Sequence, residues 1–416
     1  MGINVYDSFT QRIDKAAEIL GLSRTEYEFA KYPERELVVS IPVEMDNGTV
    51  TIFRGYRVQH SSLFGPYFGG VRFHEGVDHQ EMRGLSGLMT LKCALANLPF
   101  GGSKGGVTVD SKRLSHEELK KLTRRYTAMI LPLIGKDVDI TSPDVGTDSE
   151  IMGWIMDTYS MMAGHAVPGI VTGKPLELGG SRGQEEATGR GAAFIMADVL
   201  KRVKRAGELN TAALAGFGKV GRSVARAFYE DGIKIVAVSD STGGVFCADG
   251  LDIPALISYA AEGGHMADYS APEVAHVTHD EVIGCDCTIL AVCAATTVIN
   301  SGNVSSIKAR LLLESGSSQI SHEADEALEK KKIMVIPDIV ATLGGVIVSY
   351  FERVQNVQSL MWDEYEVDRM LKSIILKAFD EVWSLSHGKE LTLRMAAYVI
   401  ALDRVCTAKR IRGIFP

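Results

Sequence analysis

The chain has 416 residues, 46% of them hydrophobic and 23% charged, with a formal net charge of −8. That length exceeds one ordinary core and predicts two domains, while the acidic balance argues against nucleic acid as a main partner. No apolar run approaches the roughly 18 to 20 residues that cross a bilayer, and the first residues lack a basic-then-apolar leader; the expectation is a cytoplasmic protein without a membrane partner.

In chain order, the first clear signal is Asp46-Asn47-Gly48 between two β-rich runs over 37–58, which predicts a hairpin. Next comes Pro99–Gly106, P-F-G-G-S-K-G-G, after the apolar segment L-M-T-L-K-C-A-L-A-N-L. So many glycines read as a loop through which backbone passes close to a ligand. Lys104 stands inside that loop, with Lys92 upstream. A lysine partly desolvated beside a second cation has a lowered pKa and is a candidate acid/base at neutral pH. Ser115 opens S-H-E-E, a capping-box pattern. The helix it predicts carries Leu119, Leu122, Tyr126 and Met129 on one face and ends before Gly135.

From Thr211 the order is strand (T-A-A-L-A), glycine turn (G-F-G-K-V-G), helix, then strand (I-K-I-V-A-V-S-D). This βαβ pattern places Gly216, Gly218 and Gly221 where a dinucleotide pyrophosphate sits. Asp240 ends the second strand, at the position of a ribose-binding carboxylate. Further on, Val367, Leu371, Ile374, Ala378 and Val382 trace an amphipathic helix, and Leu391 to Ile411 reads as another. The six cysteines, Cys93, Cys247, Cys285, Cys287, Cys293 and Cys406, form no zinc-type spacing with histidines; they read as buried reduced thiols, and no metal site is expected.

Lys92 and Lys104, followed by P-D-V-G at Pro143–Gly146, form a more specific pattern than any one motif. With G-Y-R-V-Q-H at Gly55–His60, T-G-K-P-L-E-L-G-G-S at Thr172–Ser181, E-E-A-T-G-R-G at Glu185–Gly191, G-G-V-I-V-S-Y-F-E at Gly344–Glu352 and a terminal R-G-I-F-P, the chain resembles the glutamate dehydrogenase family, which includes leucine, phenylalanine and valine enzymes. The resemblance implies an α/β protein of two domains. An N-terminal α/β substrate and oligomerisation domain would span 1–185, with C-terminal helices over 345–416 returning to it. A Rossmann-type NAD(P)-binding domain would span 186–344, and the active site would be a cleft between the two. The implied reaction is reversible oxidative deamination of an L-amino acid to the 2-oxo acid and ammonium, with NAD or NADP, in a homo-oligomer, usually a hexamer.

The same resemblance assigns roles. Lys92 binds the α-carboxylate, Lys104 is the base for water, and Asp144 exchanges protons with the amine. Read alone, Lys92 fits a solvated surface lysine and Asp144 a turn former. Thr188 resembles the threonine that contacts the nicotinamide, although a threonine there also fits a helix N-cap. Lys219 and Val220 join the three glycines and Asp240 on the cofactor.

Several positions depart from the family pattern. The lysine of G-P-Y-K-G-G, which holds the glutamate side chain, is Phe68 here, followed by Gly69. Losing one partner of a desolvated ion pair costs roughly 3 to 5 kcal/mol, so Phe68 argues for an apolar or neutral substrate side chain unless the ring turns away into a core. Ser349 pulls the other way, matching the serine that binds glutamate. Thr342 replaces the asparagine of N-A-G-G-V, Ser317 that of E-G-A-N-G-P, Val292-Cys293-Ala294 stands where P-A-A usually follows the preceding strand, Ser142 replaces an alanine, and Lys219 replaces the asparagine of G-F-G-N-V-G. Three readings follow: an amino-acid dehydrogenase with altered specificity, an ordinary glutamate dehydrogenase, and a non-catalytic subunit that regulates an active paralogue.

Overall fold

A computed structural model describes residues 4–203, 210–294 and 296–413; Ile414 to Pro416 of the terminal R-G-I-F-P lie outside the described residues. The chain forms two units, one from the sequence up to 184 with 346–368 and the stretch from 398, the other from 185–345 with 369–397.

The first unit begins with α1 (Val5–Leu20) and the short α2 (Arg24–Tyr27). Strands β1 (Arg35–Glu44) and β2 (Val50–Ser61) form the expected hairpin, Glu44 facing Val50 across the Asn-Gly turn. After β3 (Tyr67–His74) come α3 (His79–Leu95), β4 (Gly102–Thr108), α4 (His116–Ile130), β5 (Asp139–Pro143) and α5 (Ser149–Ala163). The Ser115 capping box is present, Ser115 and Glu118 each accepting from the other's backbone N–H. The sheet order is β1-β2-β4-β3-β5, with β3 parallel to both β4 and β5. Alternating residues of β1 (Val39, Ile41, Val43) join Leu122, Tyr126 and Ile130 of α4 and Ile151, Met152 and Ile155 of α5 in one core.

The glycine-rich segment differs from expectation. Gly102–Thr108 is the central strand of this sheet, not a loop. Its glycines serve helix packing on both faces. A Cβ at Gly102 would lie 2.3 Å from the Thr90 nitrogen of α3, and one at Gly105 would lie 2.4 Å from the Tyr126 hydroxyl of α4. Below the sheet, Arg57 is wholly buried; its Nε and Nη2 donate to Asp139 at 2.9 and 2.5 Å, Ser103 Oγ donates to the same carboxylate at 2.8 Å, and Gln59 Nε2 does so at 3.0 Å. With that many partners the buried ion pair is satisfied and locks β2, β4 and β5 together.

The second unit runs through α6 (Ala187–Arg202), β6 (Thr211–Ala215), α7 (Lys219–Glu230), β7 (Lys234–Ser239), β8 (Gly244–Phe246), α8 (Ile253–Ala261), β9 (Ala275–Val277), α9 (His279–Ile283), β10 (Ile289–Val292), β11 (Leu311–Glu314), α10 (His322–Lys330), β12 (Met334–Ile336) and α11 (Asp338–Ala341). The sheet order is β12-β11-β10-β6-β7-β8-β9, parallel from β12 to β7 and closed by two antiparallel edge strands. The central strands are buried throughout and read as apolar runs because helices cover both faces.

Helices α12 (Leu343–Gln358), α13 (Glu364–Lys389) and α14 (Leu393–Arg412) end the chain. Residues 369–397 correct the expected return of all of 345–416 to the first domain, since they belong to the second unit. A buried charge is one of the ties. Arg394, 4% exposed, donates to Glu314 at 2.9 Å and to Asp338 at 3.0 Å and pairs with Asp325 at 2.6 Å. On α13 the buried face carries Ile375 where Ile374 was expected; Ile375 packs against Gly191 of α6.

Candidate active site

Lys104 projects from the centre of β4 across β3. Its Nζ stands 2.8 Å from Asp144 Oδ2, just after β5. The strand it crosses contributes Gly70, where a Cβ would lie 3.0 Å from Lys104 Nζ and 2.9 Å from Asp144 Cβ. The paired glycines of G-P-Y-F-G-G thus leave room for an ion pair to form over a strand. Gly69 faces the other way, against the Ser103 carbonyl. Asp144 is held by its turn: its N–H donates to Thr147 Oγ1 at 2.8 Å, and Thr147 Oγ1 donates to the Val71 carbonyl at 2.8 Å.

Sequence reasoning missed two members of this cluster. Arg72 Nε donates to Asp144 Oδ2 at 2.8 Å, and its Nη1 donates to Glu81 of α3 at 2.6 Å. The row Glu81, Arg72, Asp144, Lys104 alternates in charge, and Lys92, buried in the last turn of α3, acts on Lys104 as a like charge. Burial pushes the Lys104 pKa down; Asp144 opposes this, while Arg72 and Lys92 push it further down, and the net result lies below the ordinary lysine value. Burial pushes the Asp144 carboxyl up, but Arg72 and Lys104 outweigh it and hold it far below the usual carboxylate range. An amine with a lowered pKa beside a carboxylate that stays ionised is suited to moving a proton.

Phe68 shares the Gly70 and Arg72 face of β3 by strand alternation. It is 1% exposed and stacks on Phe100 at 4.8 Å between centroids. Phe100 meets Tyr350 edge-on at 5.8 Å. Beside Tyr350, Ser349 is buried and its hydroxyl accepts from Gln184 Nε2 at 3.1 Å. The loop Thr172–Ser181 is anchored by Glu352 of α12, which takes the buried Lys174 ammonium at 2.6 Å and the Gly173 and Ser181 N–H groups at 3.0 and 3.1 Å.

In the second unit the turn after β6 has the form a pyrophosphate needs. Gly216 sits at φ 115°, and a Cβ on Gly221 would lie 2.1 Å from the Gly216 carbonyl oxygen. Nothing lies within 4 Å of a Cβ at Gly218, the cap of α7. Lys219 and Val220 form the first positions of that helix, whose free N–H groups suit an anion. The Lys219 side chain is half exposed and pairs with Glu185 at 3.4 Å. These residues fit a dinucleotide, the group that supplies a hydride acceptor when bound.

Asp240 stands at the end of β7, but its carboxylate already serves its own loop. Oδ1 accepts from Thr242 N at 2.7 Å, Thr242 Oγ1 at 2.6 Å and Gly243 N at 3.3 Å; Oδ2 accepts from Met266 N at 3.0 Å. Burial pushes this carboxyl up, and those donors outweigh it and hold it below the ordinary range. With Ser241, His276 and His279 it lines a cavity of about 390 Å³.

Thr188 is not an N-cap. Glu186 caps α6 and Thr188 is the second helical residue, with Gly345 close enough that a Cβ there would lie 2.9 Å from Thr188 Oγ1. Thr342 caps α11 instead, and its hydroxyl donates to the Asp338 carbonyl at 2.7 Å. Ser317 lies in the loop between β11 and α10. Among the described residues no group of histidine, cysteine and carboxylate side chains could hold a metal, and no helix is long and apolar enough to cross a membrane.

Comparisons with known proteins identify the family. Residues 33–161 match the Glu/Leu/Phe/Val dehydrogenase dimerisation domain and residues 179–413 the Glutamate/Leucine/Phenylalanine/Valine dehydrogenase domain. A glutamate dehydrogenase of Thermotoga maritima is 44% identical, over 99% of both chains. An NADP-specific glutamate dehydrogenase of Synechocystis is 40% identical over 99% of this chain and 98% of its own. The crystal structure of a hetero-hexameric glutamate dehydrogenase from Thermus thermophilus, in a leucine-bound form, superposes with a TM-score of 0.92 at 38% identity, covering 99% of this chain and 98% of that one. With matched domains over most of its length and relatives aligned end to end, this chain belongs to the glutamate/leucine/phenylalanine/valine dehydrogenase family.

Proposed function

We propose that this chain catalyses the reversible, NAD(P)-dependent oxidative deamination of an L-amino acid to its 2-oxo acid and ammonium. The observation that carries this reading is the Lys104–Asp144 pair at 2.8 Å, assembled over Gly70. Lys92 holds the α-carboxylate. A bound dinucleotide would supply the hydride acceptor, and Lys104, as a free amine, takes a proton from the water that attacks the imine carbon. Asp144 exchanges the proton of the departing amine. Water, amino acid and oxidised dinucleotide balance against oxo acid, ammonium, reduced dinucleotide and one proton. Thr188, Gly216, Gly218, Lys219, Val220, Gly221, Asp240 and Ser317 serve the cofactor.

For the side chain, an apolar amino acid is favoured by the missing cation at Phe68, although the ring itself is packed with Phe100 into the core. A second reading is glutamate itself, supported by Ser349 and by the names of the relatives. The chain assembles as an oligomer through its dimerisation domain, with subunits of one kind or of two. The test is reduced-dinucleotide formation by the purified protein with each of the twenty amino acids, using NAD and NADP in turn. Faster turnover of apolar amino acids supports the reading from the missing cation at Phe68, and glutamate as best substrate transfers recognition to Ser349. Silence from the folded protein overturns catalysis by this chain alone and favours a regulatory subunit.

A further inference from the structure

The loop Ser315–Gln319 closes the end of β11, next to β10 and on the edge where parallel sheets of this kind bind their ligands. Carboxylates pin its later half. Glu314 Oε1 accepts from Gln319 N at 2.8 Å and from Ile320 N at 3.1 Å, and Asp338 Oδ2 accepts from Ser318 N at 3.1 Å. That last bond holds Ser318 at φ 59°, a left-handed conformation that a residue with a side chain adopts only under constraint.

The earlier half is pinned by one side chain. Gln319 is completely buried. Its Oε1 accepts from Gly316 N at 2.9 Å, and its Nε2 donates to the carbonyl of Ala294, in the loop after β10. That loop lies in turn against the glycine turn after β6, since a Cβ at Gly216 would stand 2.7 Å from the Cys293 carbonyl carbon and 2.9 Å from Ala294 N. One amide therefore ties two neighbouring strand-end loops, and the loop after β10 rests in turn on the glycine turn after β6. Both ends of the amide are used, so neither a carboxylate nor a thioether of the same length can replace it.

We propose that Gln319 is a positioning residue for the dinucleotide: its amide sets the loops after β10 and β11 in their binding arrangement before the cofactor arrives. This rests on the dinucleotide reading of the second unit. Ordering those loops only on binding would subtract their entropy from the affinity.

The test uses the full chain with NADH and NADPH, titrated by fluorescence. Gln319→Met is expected to raise the dissociation constant about tenfold, with the amino-acid KM changing less than about twofold; because it orphans Gly316 N–H and the Ala294 carbonyl, the thermal midpoint falls as well, with the chain still folded at the assay temperature. Gln319→Glu, which sets a carboxylate against the Ala294 carbonyl, is expected to weaken binding at least as much. Variants that fold and bind as the native chain does overturn the proposal. So does a loss of stability and kcat with the dissociation constant unchanged, which marks a structural role only. Hydrogen exchange on the native protein gives a readout independent of any variant. Slow exchange across 315–319 without cofactor supports a loop already set, and fast exchange that slows only on binding overturns it. A native chain that binds neither dinucleotide overturns the cofactor reading itself, whereas native binding with unaffected variants removes only the role of Gln319.

Discussion

Each unit contains a buried cluster of charges, and the two are built to opposite rules. In the first, Glu81, Arg72, Asp144 and Lys104 alternate in sign, and Arg72 and Lys104 converge on one oxygen of Asp144. In the second, Arg394 is shared by Glu314, Asp338 and Asp325. There the carboxylate oxygens accept backbone N–H groups as well, three on Glu314 and one each from Ser318 and Ile339 on Asp338. Burial pushes the Glu314 carboxyl up, against the pull of Arg394, and its acidic neighbours push it further. A carboxylate whose oxygens are filled by fixed amides acts as a brace. A carboxylate held by side-chain cations, one of them an amine with a lowered pKa, can take part in chemistry. What the donors are, rather than burial or charge count, separates the two.

The comparison breaks if removing a cation has the same consequence on both sides. Lys104→Met is expected to leave the fold intact and to cut the deamination rate by about 10²- to 10⁴-fold, read as reduced-dinucleotide formation beside an unchanged circular dichroism spectrum. Arg394→Met strips a shared guanidinium from three carboxylates and is expected to cost about 3 to 5 kcal/mol in denaturant unfolding. If it instead kept full stability, the brace would be misidentified. Phe68→Lys sharpens the comparison within the first cluster. An ammonium on the face shared with Gly70 is expected to move kcat/KM for glutamate over leucine by about 10²-fold.

The smallest effect is a shift in pH dependence. Lys104 must be neutral to accept a proton, and its pKa lies below the ordinary lysine value, so the deamination rate rises with pH through that depressed pKa and levels off above it. Glu81→Gln removes a negative charge behind Arg72, leaving Lys104 in a more positive field. The rising limb should then move to lower pH by about one unit or less, measured as kcat/KM across pH. A shift to higher pH would show that Glu81 acts on Lys104 by some route other than Arg72.

The βαβ unit was legible because its signals are local: a strand, a glycine turn and a helix follow one another within β6, α7 and β7. The Lys104–Asp144 pair was legible only through the family pattern, since β3 intervenes between the two residues in space. Arg72 gave no sign of its role. An arginine in a strand reads as solvated, and only the pairing of β3 with β5 brings it to Asp144, 72 positions away. The glycine-rich segment misled because glycine marks turns when judged locally; here its cause is tertiary, two helices pressing on one strand. At Asp240 the position was readable but its occupancy was not, because Met266 N comes from a loop beyond β8. The boundary near residue 345 follows from the family resemblance, and nothing local in the sequence marks that Arg394, far downstream, pairs with Glu314 and Asp338.

Because 369–397 belong with 185–345, neither unit is a continuous stretch of the gene. A recombination that exchanged the middle of the chain for another nucleotide-binding cassette would leave Arg394 behind, facing whatever the newcomer placed at Glu314 and Asp338. The three C-terminal helices therefore bind the history of the two halves together: each can drift in sequence, but neither can be replaced without a matching change encoded far downstream.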